Sequence, residues 1–185
     1  GVRGETCVKL DNIKGSRLAV EYLISLGHKR IGIINVPINI APGYERYEGY
    51  KKALLKNKIK FNENLIKFAD FSVESGYQKT EELLKLENRP TAIFPTSNLT
   101  TIGALKAIRK LNLKIPEDIS VVGFDKLEFA ELLNPPLTTV VQPAYQFGIV
   151  TIETLLKKIK GKKLKNKTIV LEPKIVIRNS CKRIN

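Results

Sequence analysis

Short apolar runs of strand length alternate with longer amphipathic stretches of helical period along most of this chain, and that rhythm constrains the fold more than any single residue does. Residues 13–26 carry Leu18, Tyr22 and Leu26 on one helical face. Gly27 stops that helix as a C-terminal cap, and Asp11 or Asn12 caps its start. A strand is predicted at 31–36, followed by a Pro/Gly-rich loop from Pro37 to Gly43 and a helix at 47–57. The alternation continues with a strand at 64–68, a helix at 75–86, a strand at 92–94, a helix at 100–111 and a strand at 119–124. A short helix at 129–133 ends at Pro135 and Pro136. Strands that are apolar on both faces and joined by helical crossovers make a mainly parallel sheet between two helix layers, an α/β three-layer body.

The rhythm changes after Pro136. Residues 137–142 read as extended and 143–160 as a long helix with Phe147, Val150, Thr151, Thr154 and Leu155 facing inward. A charged loop follows at 162–167, then two strands at 168–171 and 174–177, split by Pro173. Such a change suggests a crossover to other structure and back.

Composition bounds the chemistry. A chain of 185 residues, 43% hydrophobic and 27% charged, buries a core without disulfide or metal staples. No apolar run approaches the roughly 18–20 residues of a helical membrane span. The formal charge of +14 invites a nucleic-acid reading. Its one dense basic block, 157–167, sits where a helix ends, and cations are favourable there, so a solvated face is the simpler account. Cys7 and Cys181 lie near opposite ends and His28 is the sole histidine, which leaves no zinc site, no Cys/His pair and no Ser/His/Asp triad. A reducing compartment suits two unpatterned cysteines, although a terminal disulfide between them is conceivable.

In an open parallel sheet, ligands bind beyond the carboxyl ends of the strands. The strand at 31–36 leads to Arg46, that at 64–68 to Asp70 and Phe71, that at 92–94 to Thr96, Ser97 and Asn98, and that at 119–124 to Asp125. A guanidinium, an aromatic ring, hydroxyls, an amide and a carboxylate at one edge suit a polyhydroxylated or heteroaromatic small molecule. Each residue also has a plainer role. Arg46 pairs with Glu45 or Glu48 on a surface helix, Phe71 fills the core, Asp125 caps the short helix after it, and Ser97 or, preferentially, Asn98 caps the helix at 100–111. His28, next to the helix-ending Gly27, is read as structural.

Several runs resemble the lactose-repressor/purine-repressor family of bacterial transcription regulators in their ligand-binding portion. The specific ones are Ile115-Pro116-Glu117-Asp118-Ile119-Ser120-Val121-Val122-Gly123-Phe124-Asp125 and Pro135-Pro136-Leu137-Thr138-Thr139-Val140. Leu26-Gly27-His28-Lys29-Arg30-Ile31, Arg46-Tyr47-Glu48-Gly49-Tyr50 and Ile177-Arg178-Asn179-Ser180 support them. The resemblance implies a type I periplasmic-binding-protein-like fold: two α/β subdomains joined by three crossovers, with effector between them. On that plan 1–10 is the end of the N-terminal subdomain, 11–140 the C-terminal effector-binding subdomain, 141–165 the segment returning to the N-terminal subdomain, and 166–185 the C-terminal strands. The rest of the N-terminal subdomain and the DNA-binding headpiece are expected before Gly1.

The resemblance further implies effector contacts from Arg46, Phe71, Asp125 and Gln142, with Ser97 and Asn98 at two more family positions. Ser97 stands where relatives often carry Asn, Asn98 where they often carry Asp, and Lys126 where a second Asp commonly follows. The function implied is the sensing domain of a cytoplasmic DNA-binding repressor answering a sugar or sugar derivative. It would be homodimeric, would reach operator DNA through the headpiece, and would have no cofactor, metal or membrane partner. An extracytoplasmic sugar-binding protein of a transporter shares the fold and is the alternative. An enzyme is disfavoured, because the chain has no P-loop, no Gly-x-Gly-x-x-Gly after a strand and no paired acid/base set.

Overall fold

The computed structural model describes residues 6–161 and 168–184. The expected charged loop at 162–167 and the first five residues of the N-terminal segment lie outside the described residues. In chain order the elements are β1 (Cys7–Leu10), α1 (Asn12–Ser25), β2 (Ile31–Asn35), α2 (Ala41–Lys56), a 3-10 turn (Glu63–Leu65), β3 (Ile66–Phe68), α3 (Val73–Leu84), β4 (Ala92–Pro95) and α4 (Asn98–Lys110). β5 (Ser120–Phe124), β6 (Thr138–Val141), α5 (Ala144–Ile159), β7 (Thr168–Leu171) and β8 (Lys174–Val176) follow.

Six strands form one sheet in the order β3-β2-β4-β5-β6-β8. All neighbours run parallel except β6 and β8. Strand alternation sends Ile31, Ile33, Ala92, Phe94, Val122 and Phe124 into one core, with Ala19, Val20 and Leu23 of α1 and Tyr50, Ala53 and Leu54 of α2. Ile34, Ile93 and Val121 point the other way, onto Leu83 and Leu84 of α3 and Ala104 and Ile108 of α4. A fully buried Leu or Ile side chain contributes about 1.5–3 kcal/mol, so each face is held by many such terms. On the α3/α4 face the backbones nearly touch: a Cβ on Gly103 would lie 2.3 Å from the Val73 carbonyl oxygen. The expected three-layer α/β body is therefore present.

Local signals behave as expected in places. Asp11 is the cap of α1, its carboxylate accepting from the Lys14 amide at 2.8 Å. Gly27 at φ +97° ends that helix, with the His28 amide reaching back to the Leu23 carbonyl. Buried His28 is structural. Its Nε2 donates to the Lys182 carbonyl at 3.1 Å and its Nδ1 accepts from the Thr91 hydroxyl at 2.9 Å. Burial pulls its pKa below the ordinary histidine value, so the ring is neutral. Cys7 and Cys181 are both free thiols, and burial pushes Cys181 up to about 11.

Other expectations are corrected. α2 begins at Ala41, not at 47, because Pro42 fits the first helical turn, where no intrahelical donor is needed. β3 is shorter than 64–68, since Asn62 caps a 3-10 turn through the Asn64 amide. Residues 129–133 form turns and no helix. Leu127, Ala130 and Leu137 are drawn into the core there, and the Leu137 amide bonds the Ala130 carbonyl at 2.8 Å. The inward face expected for the long helix is only partly covered: Phe147, Val150 and Thr154 are half-buried, Thr151 and Leu155 are exposed, and no residue of α5 is fully buried. The two C-terminal strands also part company. β7 pairs with β1 in a separate two-stranded sheet, while β8 joins β6. No described helix is long and apolar enough to cross a membrane.

Candidate functional site

The parallel strands β3, β2, β4, β5 and β6 end on one edge of the large sheet, and the polar residues gather there. Asn35, the last residue of β2, is fully buried and its amide donates to the Gly43 carbonyl at 2.9 Å. That bond fixes the first turn of α2 over the strand ends. One turn later α2 delivers Arg46, whose side chain is 7% exposed.

Arg46 is held on three sides. Its Nε donates to Asn12 Oδ1 at 2.9 Å, Nη1 donates to the Thr96 carbonyl, and the guanidinium lies over the Phe124 ring, 3.9 Å from its centroid. Thr96 is itself locked at the end of β4, its hydroxyl accepting from the Val36 amide at 3.1 Å. Asp125 follows β5 at φ +78°, a conformation aspartate tolerates better than most side chains. Its amide donates to the Val140 carbonyl, and its carboxylate accepts from Gln142 Nε2 at the end of β6. Burial lowers the Arg46 pKa, and the charges of Asp125 and Glu45 oppose that fall.

Arg46 Nη1 and Asp125 Oδ2 stand 3.9 Å apart. That is an ion pair but too long for a direct hydrogen bond. A ligand hydroxyl between them could accept from the guanidinium and donate to the carboxylate at once. Asn98 Oδ1 adds a second invitation, because it is buried and has no hydrogen-bond partner. Its Nδ2 donates to the Lys126 carbonyl at 3.2 Å. Phe71, before α3, is 51% exposed, so it is not core and its ring is free to stack on a ligand.

The plainer roles sort out by geometry. Arg46 makes no hydrogen bond to Glu45 or Glu48 and is not a surface residue. No helix follows Asp125, so it caps nothing. Ser97, not Asn98, is the cap of α4: its hydroxyl accepts from the Thr100 amide, and the Thr100 hydroxyl accepts from the Ser97 amide. The Ser97 hydroxyl is therefore engaged within the chain, and Asn98 is the first helical residue. The structure brings Arg46, Asp125 and Gln142 into direct contact and sets Ser97, Asn98 and Phe71 on neighbouring strand ends of the same edge.

Asn12, Glu45 and Phe124 escaped the sequence reading as parts of this site. Asn12 carried one usable signal. It lies on the buried face of α1 with Ser16, Ala19 and Leu23, and a buried amide requires partners. Phe124 reads as core from its strand position and is core; its second role under a cation depends on where α2 lands.

A three-layer α/β body with convergent polar groups at the carboxyl edge of its parallel strands is the architecture of a small-molecule-binding domain. Comparison with known proteins makes this more specific. The family model for a periplasmic binding protein-like domain matches residues 20–181. The chain is 40% identical over 166 residues to the ribose operon repressor of Haemophilus influenzae, spanning 90% of this chain and 50% of that protein. It is 37% identical over 177 residues to the HTH-type transcriptional repressor PurR of Vibrio atlanticus, spanning 95% and 53%. Among solved structures, a transcriptional regulator CelR–cellobiose complex superposes with a TM-score of 0.90 at 36% identity, covering 95% of this chain and 54% of that one. A regulatory protein of the LacI family from Chloroflexus aggregans gives a TM-score of 0.88 at 36% identity, covering 94% and 63%. This chain belongs to the periplasmic binding protein-like domain family, in the branch formed by LacI-family repressors. It spans about half the length of the curated relatives it matches.

Proposed function

We propose that this chain is the sensing part of a bacterial DNA-binding repressor and that its effector is a sugar or sugar derivative. The observation that carries the reading is the open Arg46–Asp125 pair at 3.9 Å, flanked by Gln142, the unpartnered Asn98 carbonyl and the exposed Phe71 ring. Vicinal hydroxyls satisfy both charged groups, and the C–H face of a pyranose or furanose packs on Phe71. Ser97 contributes by shaping the start of α4, and its hydroxyl bonds within the cap. The similarity to a ribose operon repressor and to a cellobiose-bound regulator supports a sugar. The chain's action on the effector is binding, as the similarity to transcriptional repressors supports, and its place is the cytoplasm, where operator DNA is.

The subdomain plan fits this reading. Residues 11–140 form the effector-binding subdomain. The segments 1–10 and 141–165 belong to a second subdomain, which covers the exposed Ile149, Ile152, Leu155 and Ile159 of α5. DNA contact comes through a headpiece on that side. Effector bridging the two subdomains shifts their closure, and DNA affinity changes only by as much as effector affinity differs between the closure states.

The test is a thermal-shift panel on the full-length protein with ribose, cellobiose, sugar phosphates and nucleobases. Ligand at a hundred times its Kd stabilises by about 2.7 kcal/mol, a readily visible rise in melting temperature. A rise with a sugar is the expected result. A rise confined to a nucleobase would overturn the sugar assignment, and no rise with any compound would count against the sensor itself.

A homodimer is also part of the proposal. α4 and the turns after β5 form a groove of about 1030 Å³ lined by Ile102, Leu105, Phe129, Leu132 and Leu133, with Leu132 81% exposed. Two such apolar faces packed together remove this surface from water. Light scattering at micromolar concentration should give twice the chain mass, and Leu132→Glu should return it to the monomer value. A wild-type monomer mass would sink the dimer.

A further inference from the structure

The bonds that hold Arg46 continue out of the pocket and reach two of the three connections to the small β1–β7 layer. Asn12 uses both ends of its amide: Oδ1 accepts from Arg46 Nε at 2.9 Å, and Nδ2 donates to Glu45 Oε2 at 2.9 Å. The other Glu45 oxygen accepts from Lys9 Nζ at 3.2 Å. Lys9 belongs to β1 in the small sheet, and Asn12 opens α1 on the large one, so the two residues straddle the first crossover. On the far side, Gln142 lies between β6 and α5, on the second crossover, and bonds Asp125. The charged pair of the pocket thus stands between two chain crossings, with a polar clamp on each.

The geometry leaves this clamp little slack. An amide flip at Asn12 would set its N–H groups against Arg46 and its carbonyl against Glu45, so its orientation is fixed. Glu45 and Arg46 are adjacent on α2 and leave the helix about 100° apart, and Asn12 meets both. One turn on, a Cβ at Gly49 would lie 2.5 Å from the Ile13 carbonyl oxygen, so α2 rests directly on the first turn of α1. A shift of Arg46 toward a ligand must stretch the Asn12 bond or carry the start of α1 with it.

We propose that Lys9, Glu45 and Asn12 are positioning residues that couple the effector pair Arg46–Asp125 to the first crossover, as Gln142 couples it to the second. This inference concerns regulation of the site assigned above and rests on that sensor reading. The clamp gives effector binding a mechanical route to the relative placement of the two layers.

The test is amide hydrogen exchange on the full-length protein without any sugar, comparing wild type with Glu45→Ala. Coupling predicts exchange accelerated about tenfold at residues 8–16 and also at 141–147, which Glu45 does not touch. Glu45→Gln keeps an acceptor for Asn12 and should restore slow exchange at 141–147. Acceleration confined to 8–16 and 41–47 would reduce the clamp to a local staple and overturn the proposal. Lys9→Ala alters a half-exposed side chain outside the core and decides the matter should Glu45→Ala fold poorly. It should speed exchange about twofold at both crossovers, and no change at 141–147 would overturn the coupling. Because no sugar enters this experiment, its failure leaves the sensor reading standing. A blank thermal-shift panel beside intact coupling would sink the sensor reading instead.

Discussion

Arg46→Lys is expected to weaken binding of whichever sugar raises the melting temperature by about ten- to a hundredfold, with the fold retained. The reason is geometric. The arginine fork donates to Asn12 and to the Thr96 carbonyl while its flat face rests on Phe124, which aims its remaining N–H groups at the gap before Asp125. A lysine ammonium has neither the plane nor the fork, and cannot meet all of these at once. Losing one charge-assisted hydrogen bond in a closed site costs about 1.5–3 kcal/mol, which is the fold-change stated. The lysine stem still covers the Phe124 ring, but one buried acceptor loses its donor, so stability should fall by about 1–3 kcal/mol without unfolding the chain. Isothermal titration calorimetry on the full-length protein measures the affinity. An unchanged Kd would remove Arg46 from the site.

The second large effect separates two phenylalanines of the same region. Phe124 is fully buried, packs against Phe94 at a ring-centroid distance of 6.3 Å, and lies where a Cβ on Gly15 would approach its ring to 2.9 Å. Phe124→Ala should therefore cost about 3–5 kcal/mol of stability, because the deletion opens a cavity that the tight α1 contact cannot fill. It also withdraws the ring beneath Arg46. Phe71 is half exposed and carries no such packing, so Phe71→Ala should leave the urea midpoint within experimental scatter while weakening sugar binding. Equal midpoint shifts for the two variants would contradict this division, and an unaltered sugar titration for Phe71→Ala would release that residue from the pocket.

The division has a parallel in what could be read before the fold was known. The body of the protein was legible because burial leaves a periodic trace. Ile31, Ile33 and Ile34, or Ala92, Ile93 and Phe94, are apolar on both faces, and only a sheet covered by helices on both sides requires that. The strand ends then offered Arg46, Phe71, Ser97, Asn98 and Asp125 as candidates, and the resemblance to a repressor family added Gln142. Caps were legible where the signal is one turn long, as at Asp11 and Gly27. At Ser97 and Asn98 two good capping types stand side by side, and the choice fell to whichever hydroxyl or amide met the free amide of Thr100.

The long helix went the other way. Residues 143–160 have the pattern of a helix that buries one face, yet on α5 that face is only half covered: Phe147, Val150 and Thr154 are half-buried beside β1, while Thr151 and Leu155 stay exposed. A pattern reports the preference of a face and carries no information on what meets it. The same holds for the last two strands, alike in length and composition, which a single Glu172-Pro173 step sends to different sheets.

By itself, then, the sequence determined the layered α/β body, the edge on which polar groups collect and the residue types on offer there, since each of these follows from local period and from the direction of parallel strands. Only the tertiary structure decided that Arg46 is buried on Phe124, that Asn12 and Glu45 hold it, and that Asp125 stands just beyond hydrogen-bond reach with Gln142 at its side. Those contacts join groups far apart along the chain. They depend on how α2 settles on α1 and where β6 ends beside β5, which no local pattern encodes.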